Sequence, residues 1–256
     1  MLKIERQKLI EDELLKNGFI LVPEMGEKLS CSEETIRRDL KEMEKSGRLV
    51  RTHGGAFIPE KYDKSYPTEL RKSLLKAVKV GMAAVAMRHI KENDMIMLDS
   101  STTCLALAKA IIEARIHLTI ITNSLPICSL CSEPNSGEIN LICVGGTFRR
   151  QATSFADHYS VSRIERYCPE ISFISPPKLS MEKGLSDNIL SESLVREAML
   201  KQAQKKCIIA DHTKFSGDAN ILFKGLNDLD LLITDEKLSD EWEVFSAQQG
   251  ISVEYI

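Results

Sequence analysis

Two groups of residues in this chain have the types and spacing to do chemistry. The first lies between Ser32 and Ala56, SEETIRRDLKEMEKSGRLVRTHGGA. Guanidinium forks read guanine edges in a DNA major groove, and lysine and arginine neutralise phosphates. From Arg37 to Arg51 six cations stand against three acids, a local net of +3 in a chain whose net charge is −3. Nucleic-acid binding would therefore come from one patch, not from a basic coat. The second group is a series of short polar segments: Asp99-Ser100-Ser101-Thr102-Thr103, Thr122-Asn123-Ser124, Gly145-Gly146-Thr147, Lys183-Gly184-Leu185-Ser186-Asp187 and Asp211-His212-Thr213-Lys214. Four hydroxyls where a helix begins, beside backbone N–H groups that lack intrahelical partners, suit an anion such as a phosphate. The same loop would also serve as a plain Ser/Thr helix cap.

The elements that must position the first group can be read from periodicity. Ser32 is an N-cap for a helix over Glu33–Ser46, with Glu33 and Glu34 at the positive end of its dipole. At about 100° per residue, Ile36, Leu40 and Met43 form one apolar stripe, and Glu34, Arg37, Arg38, Lys41 and Lys45 lie opposite. Gly47 stops the helix. Arg48–Thr52 reads as a short strand, His53-Gly54-Gly55 as a tight turn and Ala56-Phe57-Ile58 as a returning strand. Upstream, Leu9, Ile10, Leu14 and Leu15 mark a helix ended by Asn17-Gly18. Val22-Pro23 opens a second, carrying Met25 and Leu29, and Ser30-Cys31-Ser32 is a tight connection into the basic helix. Mixed charge alone also fits an ordinary solvated helix. Helix, short helix, turn, basic helix and hairpin in this order is a winged helix-turn-helix. The candidate DNA-contacting residues are Ser32, Thr35, Arg37, Arg38, Lys41, Arg51, His53 and Gly54. Arg38 and Lys41 are expected to reach base edges, and Arg37 and Arg51 to hold phosphates.

Phe57–Pro67, with two prolines, two tyrosines and no period, reads as a linker. A long helix is expected from about Thr68 to His89. Apolar runs then alternate with helical segments: Met95–Leu98, Leu118–Ile121, Leu141–Val144, Ile171–Ile174, Cys207–Ala210 and Leu231–Ile233. Continuous apolar runs suit strands buried on both faces, as in a parallel α/β sheet. The expected organisation is a winged helix-turn-helix domain over residues 1–57, a linker over 58–67 and an α/β effector domain over 68–256. The polar segments follow the strands, at the edge where open α/β sheets bind ligands. Asp99, Ser100, Ser101, Thr102, Thr103, Thr122, Asn123, Ser124, Gly145, Gly146, Lys183, Asp211 and Lys214 together suit a polyol phosphate.

Other chemistries are poorly supported. The seven cysteines are an odd number and mostly have apolar neighbours, which suits reduced, buried thiols. Cys128-x-x-Cys131 has no second Cys/His pair at zinc spacing. It leaves a redox sensor only as a weak third reading. The five histidines are scattered and make no hydrolase triad. No catalytic residue, metal ligand or cofactor is expected. No apolar run is long enough to span a membrane, the N-terminus is not a signal peptide, and a cytoplasmic protein is expected. With 43% apolar residues the chain has ample material for two cores. A single winged helix makes too small an interface for tight operator binding, so a homo-oligomer assembled by the effector domain is expected.

Glu5-Arg6, Thr35-Ile36-Arg37-Arg38-Asp39-Leu40, Gly47 and His53-Gly54-Gly55-Ala56 resemble the DeoR-type bacterial transcriptional regulators, and the likeness runs through nearly the whole chain. The resemblance implies an effector domain with a ribose-5-phosphate-isomerase-like fold, phosphorylated-sugar ligands and double-stranded operator DNA as partner. It implies that Asp99 and Lys214 contact sugar hydroxyls and that Ser101 to Thr103 hold the phosphate. The chain departs from the pattern in the Asp99–Thr103 loop, where a glycine is common early in the turn, at Ser154–Asp157, which lacks the glycine usual near its end, and at Ser175-Pro176-Pro177, which replaces a more glycine-rich loop. The function implied is a repressor of a carbohydrate operon controlled by a sugar phosphate. The alternative is an isomerase-like enzyme with a helical appendage, using Asp99, Asp211 and Lys214 for acid–base work.

Overall fold

The computed structural model describes residues 1–45, 47, 49–52, 54–58, 71, 74–134, 136–215 and 217–256. His53, most of the expected linker and the expected start of the long helix lie outside them. The chain forms two units, Met1–Lys76 and Ala77–Ile256.

In the first unit, α1 (Lys3–Asn17) ends where Gly18 turns left-handed and returns its N–H to the Leu14 carbonyl at 2.7 Å. A strand absent from the sequence expectation follows, β1 (Phe19–Leu21). Then come α2 (Val22–Lys28), with Pro23 in its first turn, α3 (Glu33–Glu44), β2 (Val50–Arg51) and β3 (Gly55–Phe57). The wing is thus three-stranded, in the order β1-β3-β2, with Ile20 opposite Ala56 and Arg51 opposite Ala56 on the other side. Gly55 is required here by close approach, because a Cβ would lie 1.9 Å from the Ile20 carbonyl oxygen. Ile10, Leu14, Val22, Met25, Ile36, Leu40, Met43 and Leu49 make one core. Burying each large aliphatic side chain contributes about 1.5–3 kcal/mol, so this apolar stripe anchors α3.

Near the boundary between the units, Leu75 stands at φ 49°, and a helix runs on from Lys76. This helix, α4 (Lys76–Ala86), tightens into a 3-10 turn at Met87–His89. The order is then β4 (Met95–Leu98), α5 (Thr102–Glu113), β5 (Leu118–Thr122), α6 (Leu125–Cys131), β6 (Ile139–Cys143), β7 (Phe148–Arg149), β8 (Ser154–Phe155), α7 (His158–Ile164) and β9 (Ile171–Ile174). It continues with β10 (Lys178–Ser180), β11 (Gly184–Asp187), α8 (Leu190–Gln202), β12 (Lys205–Ile209), a 3-10 turn His212–Lys214, β13 (Ile221–Lys224), β14 (Leu231–Thr234), α9 (Asp240–Gln249) and β15 (Ser252–Tyr255). Seven strands form a wholly parallel sheet in the order β15-β14-β12-β9-β4-β5-β6.

Side chains alternate across this sheet, and both faces are covered. Ile96 and Leu98 enter one core with α4 and α5, and Met97 enters the other with α7, α8 and α9. A small antiparallel sheet, β10-β11-β13, joins the second layer through Leu179, Leu185 and Phe223. The β7–β8 hairpin runs past the end of β5, where Ser124 bridges Ser154.

Candidate nucleic-acid interface and effector site

The Ser32 side chain caps α3, accepting from the Thr35 N–H at 3.3 Å, and its hydroxyl meets that of Thr35 at 2.9 Å. With Ile36, Leu40 and Met43 buried, Arg37, Arg38 and Lys41 are all exposed. Arg37 donates to Glu33 at 2.7 Å, one turn earlier. Arg51 donates from its side chain and its backbone N–H to Glu44, at 2.8 and 2.9 Å, and this holds the Glu44 carboxyl below its ordinary pKa. Arg38 and Lys41 have no ion-pair partner among the described residues. Exposed pairs such as Arg37–Glu33 are worth only about 0.3–0.5 kcal/mol, so a phosphate can take the arginine at little cost. Asp39 belongs to a different environment. It is 2% exposed and ion-paired with Arg6 of α1 through Nε, with a second bond from Nη2 at 3.3 Å. The sequence counted Asp39 only as one of three local acids; the fold brings Arg6, 33 positions earlier, against it.

In the parallel sheet, the chain leaves β4 toward β5 and β6 on one side and returns on the other at β9. In open α/β sheets, ligands bind outside the C-terminal ends of the strands at such a switch point. Asp99 to Thr103 lie there, all buried. The Ser101 hydroxyl accepts the Cys104 N–H at 3.0 Å and caps α5, whose dipole favours negative charge at this end. The Thr103 hydroxyl meets that of Ser175, at the end of β9, at 3.3 Å. Asp99 accepts from the Ser101 N–H at 3.0 Å, from the Ser175 N–H at 3.4 Å and from Arg196 Nε at 2.8 Å.

Arg196 and Glu192, both on α8 and both buried, were not among the residues singled out from sequence. Arg196 also bonds Asp187 and lies 3.9 Å from Glu192. Burial works against its charge, but Asp187, Asp99 and Glu192 more than offset this, and its pKa is raised. Glu192 accepts from the Ser100 hydroxyl at 3.1 Å and from the Ser154 hydroxyl. Arg149 reaches the same carboxylate, its Nε 3.5 Å from Glu192 Oε1, while its Nη1 donates to Ser191 at 2.8 Å. The i,i+4 spacing of Glu192 and Arg196 is the sequence signal, but it reads as a common exposed helix pair.

The remaining expected residues divide. The Thr122 hydroxyl donates to the Leu98 carbonyl at 2.7 Å, and Ser124 caps α6. Asn123 is buried and exchanges bonds with Phe155, but its Oδ1 has no hydrogen-bond partner among the described residues. Gly145 and Gly146 both have positive φ, and the space beside Gly146 is filled by Ser160 and Asp157. Asp157, which caps α7, is held down to about pKa 2 by the Ser160 and Thr147 N–H groups and the Thr147 and Ser160 hydroxyls. Asp211 and Lys214 are buried and 3.6 Å apart. Lys183 is not drawn into this cluster: it is exposed and paired with Asp218 at 3.1 Å, between β10 and β11. One group of metal-ligand type occurs among the described residues, His212, Asp235 and Glu236, but Asp235 already holds the His212 ring at 2.6 Å.

Residues 6–62 match the DeoR-like helix-turn-helix domain, and residues 76–236 match the DeoR C terminal sensor domain. The chain belongs to the DeoR family. It is 32% identical to the uncharacterized HTH-type transcriptional regulator YulB of Bacillus subtilis, over 93% of this chain and 91% of that protein. It is 30% identical to the HTH-type transcriptional repressor GlcR of the same organism, over 92% and 89%. Ribose 5-phosphate isomerase A of Methanocaldococcus jannaschii is similar over 55% of each chain, at 16% identity and a TM-score of 0.39. The DeoR assignment makes residues 6–62 the helix-turn-helix domain of a DNA-binding transcriptional regulator and residues 76–236 its sensor domain. No helix among the described residues is long and apolar enough to cross a membrane.

Proposed function

We propose that this DeoR-family chain is a cytoplasmic repressor of a carbohydrate-utilisation operon, acts as a homo-oligomer and changes its operator affinity when a phosphorylated sugar occupies the β4 switch point. Residues 1–57 serve as the DNA-binding head, 58–67 as the linker and 68–256 as the sensor. Arg38 and Lys41 read bases, and Arg37 and Arg51 exchange their glutamates for DNA phosphates. The observation that carries the effector reading is Asn123 Oδ1, a buried acceptor with no partner among the described residues, at the sheet edge that holds the Ser100–Thr103 hydroxyls. Such an acceptor is costly unless a donor fills it, and a sugar hydroxyl is one. Asp99 and Asp211 are tied up by Arg196, Lys214 and backbone N–H groups, so neither stands ready as the base an isomerase needs. This supports a sensor over an enzyme. The repressor assignment follows the name of the similar GlcR.

Calorimetry with a panel of pentose and hexose phosphates tests the pocket, with turnover followed in parallel. One panel member should bind and none should be converted. Thr102→Asp, which places a negative charge where the phosphate sits, should abolish binding. Retention of full affinity by Thr102→Asp, or steady turnover by the parent, contradicts the reading.

A further inference from the structure

The β7–β8 hairpin brings Arg149 to the effector edge. Arg149 pairs in register with Ser154, which bridges Ser124, the neighbour of Asn123. A guanidinium offers five N–H donors in a planar fork. Here Nη1 is used on Ser191 at 2.8 Å. Nε is buried and has no hydrogen-bond acceptor among the described residues, although Glu192 Oε1 lies 3.5 Å away. Glu192 has other donors: the Ser100 and Ser154 hydroxyls, with Arg196 close by. Arg149 is therefore held and ion-paired with Glu192, but its Nε–H is left without a hydrogen-bond acceptor among the described residues. The carboxylate that separates it from the hydroxyl loop takes Ser100 on one oxygen and faces Arg149 with the other.

The geometry points to Arg149 as the phosphate-binding arginine of the sensor domain, closing over an anion that rests on Ser100–Thr103 and the N-terminus of α5. This deepens, and rests on, the reading of the switch point as a sugar-phosphate pocket. Phosphate oxygens fit a guanidinium fork better than they fit an ammonium. The bound anion gives Nε–H the acceptor it lacks, and Ser191 keeps the fork in place. Asn123 Oδ1 is left for a hydroxyl of the sugar. The pocket thus gains a cation that the loop residues cannot supply, since Arg196 is enclosed by Asp99, Asp187 and Glu192.

The test uses the full-length chain, the tightest-binding sugar phosphate of the panel, and inorganic phosphate as a competitor against it. Arg149→Gln should weaken both probes by the same factor, tenfold or more, as expected for a charge-assisted hydrogen bond. Arg149→Lys should lose less. A purely structural role would weaken the sugar phosphate more than inorganic phosphate, because the hydroxyl contacts would go as well. Affinities of Arg149→Gln within twofold of the parent overturn the proposal, and with Thr102→Asp still inactive the pocket reading survives. Loss confined to the sugar phosphate also overturns it. If the parent binds neither probe, the pocket reading falls and this proposal with it. Should Arg149→Gln fail to fold, Arg149→Lys decides: equal weakening of both probes supports the proposal and unchanged affinities overturn it.

Discussion

Removing the Asp39 carboxylate should loosen the DNA-binding head more than any other single charge deletion on α3. Asp39 is buried, and its partner Arg6 is only 14% exposed. Breaking a buried ion pair by deleting one member destabilises by about 3–5 kcal/mol, because the other charge stays behind. Arg6 keeps slight access to water, so the lower end applies, about 3 kcal/mol. The first compact unit, Met1–Lys76, which contains the head, has a total stability of about 4–11 kcal/mol. Asp39→Ala therefore removes a large share of it, and about 3 kcal/mol corresponds to roughly two decades in the opening equilibrium. The one tryptophan, Trp242, lies in the sensor core and cannot report on the head. Hydrogen exchange of α1 and α3 in the full-length chain is the appropriate assay, since it reads local opening directly. Exchange of Ile36–Met43 should accelerate about a hundredfold while the sheet strands stay as they were. Adding Arg6→Met to Asp39→Ala should restore part of the protection, because the stranded charge is then gone. Parent-like exchange in Asp39→Ala would refute the reasoning, and so would a double variant worse than the single one.

Three further outcomes are expected. Arg38→Ala should cost about 1–3 kcal/mol on the operator and relax one base position, whereas Arg37→Ala should weaken all sequences alike and reduce the salt slope by about one; gel-shift titrations on operator and scrambled DNA check both. The His212 ring loses by burial, but Asp235 and Glu236 raise its pKa overall. Its contribution to stability is complete below about pH 6.5 and is lost as pH rises through the raised value, so His212→Gln should lower the melting temperature at pH 6 and leave it unchanged at pH 9. The Cys143 thiol is held below its ordinary value, chiefly by a hydrogen bond from Cys128, while burial raises Cys104 and Cys207. Mass spectrometry after brief iodoacetamide treatment at pH 7 should find Cys143 labelled first and those two unlabelled.

What could be read from sequence follows from the range of the forces involved. The stripe Ile36, Leu40 and Met43 is a local period, and it located α3 to within two residues of its end. The strands at the heart of the sheet are largely buried on both faces and little disguised by polar residues: Met95–Leu98 carries none and Ile171–Ile174 only Ser172. The edge strand Ser252–Tyr255 is half exposed and alternates, and it was missed. So was Phe19–Leu21, whose three residues are too few for any period. The hydroxyl run Ser100–Thr103 was legible because its members are consecutive. Its supports were not: Arg196 lies 97 positions from Asp99, and Glu192 lies 92 from Ser100. A charged side chain on a helix looks like a surface residue until the fold supplies its partners. Asp39 and Arg6 repeat that lesson in the head.

The central claim is that sugar-phosphate binding and operator binding are coupled in one chain. It is tested most directly by measuring both affinities, each with and without the other ligand, using an operator selected from a random-sequence pool. Linkage requires the two changes to be equal, and coupling of this kind is typically about 1–3 kcal/mol, or roughly 5- to 150-fold. The account predicts that saturating sugar phosphate weakens operator binding by a factor in that range, and that saturating operator weakens sugar-phosphate binding by the same factor. An operator affinity that is identical with and without saturating ligand would contradict it.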